Sequence, residues 1–150
     1  MAKSKKPNIR RLAREWALQF LYQAELKDEK EDDDHDLFWD QLRSSPSCPK
    51  PEQFKFGYDF ATELINGVQQ NRDEFDGMIQ ELASNWDFSR ITIVDKSIMR
   101  IAIYELLKTD IPRAVSINEA VEIAKVFSDT ESKNFINGIL DKIKKPGEDK

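Results

Sequence analysis

Between Ile93 and Lys108 the chain reads IVDKSIMRIAIYELLK, and its hydrophobic positions leave almost no side for water. Placed about 100° apart, Val94, Ile98, Met99, Ile101, Ala102, Ile103, Leu106 and Leu107 cover most of the helix circumference. Only a narrow strip through Ser97, Arg100, Tyr104 and Lys108 is polar. A helix of this kind must be enclosed by other elements. It is too short to span a bilayer, and Asp95, Lys96, Arg100 and Glu105 argue against one. The pattern predicts the central post of a compact helical domain. Thr92 caps it, Asp95 stands three residues on at the place of a capping-box acid, and Thr109-Asp-Ile-Pro112 ends it.

The flanking segments supply the enclosing helices. From Ile9 to Leu26, one face carries Ala13, Trp16, Ala17, Phe20, Leu21 and Ala24. A second stripe carries Arg11, Arg14, Leu18 and Tyr22, with Arg10 at its margin. Residues 37–42 fit a short helix, and 44–51 (SSPSCPKP) fit a turn-rich linker. Residues 52–85 predict one long or two consecutive helices, with Asn71 or Asp73 near the joint. Gly57 and Gly67 weaken that stretch, and close packing against the post explains their presence. Ser116-Ile-Asn-Glu119 and Ser128-Asp-Thr-Glu131 each have the form of a capping box that opens a helix. No stretch alternates with period two. The expected fold is all-α, a single domain of six or seven helices over residues 9–143, with a flexible basic arm at 1–8 and a frayed tail at 144–150.

Charge changes this picture at one end. The chain of 150 residues has a formal net charge of −5. Six of its 23 basic residues precede Glu15, with no acid among them, which leaves 17 basic against 28 acidic residues, or −11, in the body. A basic arm on an acidic body is a polarised molecule. Residues 27–36 (KDEKEDDDHD) read as a solvated acidic loop rather than a metal site, because their carboxylates lack glycine and regular ligand spacing. His35, the single histidine, lies in that run. Cys48 is the only cysteine, so no intrachain disulfide or cysteine-based metal cluster forms. The N-terminus lacks the apolar stretch of a signal peptide, which makes the cytoplasm the expected location.

Catalytic and cofactor signatures are missing: there is no glycine-rich phosphate loop, no G-x-S-x-G, no H-E-x-x-H and no Cys/His cluster. An enzyme built on surface carboxylates is the weakest reading. A basic arm running into a helix that shows Arg11, Arg14 and Tyr22 suits a flexible single strand, since guanidinium groups pair with phosphates and a ring stacks on an unpaired base. A solvated helix face explains the same residues equally well.

Four blocks resemble the NusB family of transcription antitermination factors. They are residues 10–22 (RRLAREWALQFLY), 94–106 (VDKSIMRIAIYEL), 116–125 (SINEAVEIAK) and 133–141 (KNFINGILD), and they occur in family order. The resemblance covers nearly the whole chain and is weakest at 27–51. It implies two small helical bundles in one domain, a role beside the transcription elongation complex, and a partner, the small-subunit ribosomal protein NusE. With NusE such a protein binds boxA-type single-stranded RNA. The family's RNA-contacting arginines fall on Arg10, Arg11 and Arg14, its first-helix tyrosine on Tyr22 and its late aromatic on Phe135. Partner-facing acids fall on Asp95, at a helix start expected to be exposed, and on Glu131. Leu12 stands where a third arginine of the opening cluster is expected, and Glu131 where an aspartate is common. The competing reading is a homodimeric protein-interaction module whose arginine face is occluded in the dimer.

Overall fold

The computed structural model describes residues 8–27 and 35–147; the expected basic arm and most of the acidic run lie outside them. Seven α-helices occur among the described residues: α1 (Ile9–Leu26), α2 (His35–Arg43), α3 (Pro51–Gln70), α4 (Arg72–Leu82), α5 (Ile93–Lys108), α6 (Arg113–Phe127) and α7 (Ser132–Leu140). A single 3-10 turn, Phe88–Arg90, precedes α5. No helix among them is long and apolar enough to cross a membrane.

Helix α5 is the post. It packs against α1, α3, α4, α6 and α7, with α1 and α3 paired on one side and α6 and α7 on the other. Thr92 caps it, its hydroxyl accepting from the Asp95 N–H at 3.1 Å. Half of the predicted polar strip is enclosed too: Ser97 and Arg100 are buried, whereas Tyr104 is half-buried and Lys108 exposed. Arg100 forks onto Asp76 of α4 at 2.7 and 3.0 Å and reaches Glu25 of α1, which Arg72 also contacts. That network ties α1 and α4 to the post.

The N-terminal side is sealed by rings. Trp16 meets Trp39 and Phe54, and Phe20 meets Phe38 edge-on at 5.3 Å. His35 opens α2 and lies 4.4 Å from the Phe20 ring, so it packs inward rather than joining a solvated loop.

The two glycines serve different neighbours. A Cβ on Gly67 would collide with the Tyr104 ring of α5, whereas one on Gly57 would come within 2.8 Å of Trp16 on α1. Only the first packs against the post. Asn71 makes the α3–α4 joint, its side-chain amide donating to the Gly67 carbonyl at 2.7 Å.

Candidate functional site

Asn8 caps α1 by accepting from the Arg11 N–H at 3.1 Å, and the three arginines that follow have different surroundings. Arg10 projects to the surface with its guanidinium 5.3 Å from the Phe60 ring and 6.0 Å from Phe56. Arg11 is half-buried and forks onto Glu119, Nε to Oε1 at 2.9 Å and Nη2 to Oε2 at 2.6 Å. Those bonds hold its guanidinium above the ordinary arginine pKa. Beside it, burial pushes the Glu15 carboxyl up, with Arg11 pulling it down and Glu119 pushing it further up.

Arg14 is buried, only 2% exposed. Its Nε and Nη2 donate to the two oxygens of Glu105 at 2.7 and 2.9 Å, and Nη1 reaches Glu119 at 3.3 Å. Ser116 completes the group by donating to Glu105 at 2.8 Å. A fork of this kind offsets the desolvation of both ions only while every partner is in place. The expectation that Arg14 meets RNA phosphate therefore does not fit this arrangement: its donors are directed at carboxylates inside the chain. Among the described residues, Arg10 alone of the three has no carboxylate partner.

The same network changes the reading of Ser116 and Glu119. Helix α6 begins at Arg113, directly after Pro112, so both residues lie inside it, Ser116 turned to Glu105 and Glu119 to the arginines. Ser128 and Glu131 do not form a capping box either. Ser128 follows α6, and the first turn of α7 is held by Asp129, which accepts from the Ser132 N–H at 3.2 Å and from its hydroxyl at 2.8 Å.

At the other end of α5, the Asp95 carboxylate is buried and accepts from Ser128 Oγ at 2.6 Å and Ser132 Oγ at 2.8 Å. The acid expected to be exposed toward a partner is thus a bracket that joins the start of α5 to the α6–α7 turn. Glu131, next to it in the turn, is exposed. Phe135 lies one turn further on, half-buried, with the Trp86 ring against it at 5.1 Å and 66°. Tyr22 is 39% exposed.

Arg14 meets Glu105, whereas Leu18 lines a small cavity with Ile98 and Ile101, so α1 runs antiparallel to α5. Ten residues of α5 separate Asp95 from Glu105, about 15 Å at helical rise. The candidate residues thus form two groups. The arginines lie beside the C-terminal half of α5, and Asp95, Glu131 and Phe135 gather at its start. Tyr22 lies one turn beyond Leu18, toward the second group. Lys145, expected in a frayed tail, is tied down, its ammonium donating to the Glu105, Leu106 and Thr109 carbonyls at 3.0, 3.2 and 2.5 Å.

Helices α5, α6 and α7, and α1 from Arg11 onward, fall within residues 11–145, which match the NusB family model. The chain belongs to the NusB family. Among its relatives, the NusB transcription antitermination protein of Desulfotalea psychrophila is 43% identical over 138 residues, covering 91% of this chain and 96% of the relative. That of Myxococcus xanthus is 42% identical over 135 residues, with 89% and 93% covered. In structure the chain is similar to T. maritima NusB, with a TM-score of 0.75, 32% identity and 95% of each chain covered. A chain of the complex of antitermination factors NusB and NusE with dsRNA shares the NusB fold, at a TM-score of 0.70 and 22% identity over 91% of this chain and 96% of that one.

Proposed function

We propose that this chain is a non-catalytic RNA-binding adaptor of transcription antitermination, which takes boxA-type single-stranded RNA together with NusE and delivers it to the elongation complex. The observation that carries the reading is the family match across residues 11–145, with relatives named transcription antitermination protein at 43% and 42% identity. The shared fold with a NusB that was solved with NusE and RNA is in keeping with it.

Within that reading, the residues divide the work. Arg10, exposed and steadied over Phe56 and Phe60, is the phosphate contact, continued by the lysines of the preceding arm. Arg11 contributes through its exposed side while Glu119 fixes its direction. Arg14 acts indirectly, by locking α1 onto α5 and α6. Phe135 and Tyr22 offer rings to unpaired bases. Glu131 faces the protein partner, and Asp95 sets the turn that displays it.

Size-exclusion chromatography of the pure chain with NusE and a boxA-type RNA tests the proposal. Co-elution of all three is the expected result. A chain that elutes alone from both, while folded, contradicts it.

A further inference from the structure

We propose that Trp86 is a second base-stacking ring beside Phe135, so that the start of α5 grips unpaired RNA through two aromatics rather than one. The proposal rests on the RNA-binding reading above and adds a residue to it.

Trp86 is 62% exposed, more than any other aromatic among the described residues, whereas Trp16 and Trp39 are buried at 4% and 3%. An indole left so open without a ligand keeps a large apolar face in water. Its ring neighbour is Phe135, and the pair is edge-on, a geometry that leaves ring faces free for a base.

The turn that carries Trp86 is held from several sides. The Trp86 N–H donates to the Ala83 carbonyl at 2.9 Å. Asp87 accepts from the Ser89 N–H at 3.0 Å and from its hydroxyl at 2.7 Å. The Lys96 ammonium sits 4.1 Å from the centre of the Phe88 ring, and Lys142 donates to the Leu82 carbonyl at 3.1 Å. A ring presented on a fixed turn loses little freedom when a ligand arrives.

The surroundings select the ligand. Ser84, Asn85, Asp87, Ser89 and Arg90 around the indole are polar and exposed, which is unsuited to burial in a lipid layer. Lys96 and Lys142 place two cations at the turn against the ionised carboxylate of Asp87, which Ser89 holds. An exposed ring on a turn that also carries cations is the chemistry that holds a stacked base and its phosphate.

The buried positions of Trp16 and Trp39 make Trp86 the tryptophan that an added ligand can reach. Titration of the folded chain, in complex with NusE, with a boxA-type RNA should quench tryptophan emission, and Trp86→Ala should abolish that change. The same variant should weaken RNA binding by about 5- to 150-fold with little change in salt slope, the range for one lost stacked base. Trp86→Phe, which keeps a ring, should recover most of the lost affinity. Wild-type RNA affinity in Trp86→Ala, with no quenching in the parent chain, would overturn the assignment while leaving the RNA-binding reading in place. Loss of NusE binding with RNA affinity intact would also overturn it, giving the indole to the protein partner. No RNA binding by the parent complex would defeat both.

Discussion

The two ends of α5 use charge in opposite ways. At its C-terminal half, Arg11, Arg14, Glu105, Glu119 and Ser116 satisfy one another, and the Arg14 guanidinium is sealed from solvent. At its N-terminal end, Asp95 is consumed by two hydroxyls, but Trp86, Phe135 and Glu131 beside it remain available to outside molecules. The contrast shows that a motif arginine and a working arginine are different things. What a charged residue does depends on whether a carboxylate has been built opposite it.

The largest effect expected follows from the sealed end. Arg14→Leu should cost about 3–5 kcal/mol, because it strands the buried Glu105 carboxylate without its partner. Adding Glu105→Leu should restore most of that loss, and chemical denaturation of the two variants decides the point. Unchanged stability in the single variant would mean that Arg14 is not buried among its acids. Next comes Asp95→Ala, for which a loss of about 2–3 kcal/mol is expected from two hydroxyl–carboxylate bonds. Faster amide exchange in the first turn of α7 would locate the damage there. If stability held and only partner binding fell, Asp95 would be a contact after all.

A smaller change sharpens the packing side of the comparison. Gly67→Ala forces a methyl group toward the Tyr104 ring and should destabilise by about 1–3 kcal/mol in a thermal melt. Gly138→Ala is the control, since nothing lies within 4 Å of a Cβ there.

Much of this was readable from the chain. Apolar periodicity alone placed α5 between Ile93 and Lys108 and its cap at Thr92, because a helix with no polar side admits one environment. A joint near Asn71 or Asp73, in one long helix or between two consecutive ones, followed from the break between two apolar stripes, and the structure puts it at Asn71. Periodicity failed where polar residues are buried in pairs. Ser116 and Glu119 look like a cap, yet Ser116 donates to Glu105 and Glu119 answers Arg14 across more than a hundred residues of sequence, and those partnerships leave no local trace. Glu105 carried a faint signal, a carboxylate amid the apolar circumference of the post. Trp86 carried none, because a turn tryptophan reads alike whether it is buried or open.

The division of labour among the arginines can be broken by one titration. RNA affinity of the NusE-bound chain is measured across a salt series for the parent and for Arg10→Ala. Arg10 is exposed, so the variant should fold with stability within about 0.5 kcal/mol of the parent. Its log K against log salt should be shallower by about 0.7, the value for one phosphate contact on a single strand. Parental affinity and slope in the folded Arg10→Ala complex would contradict the assignment of RNA attraction to the outward-facing arginine.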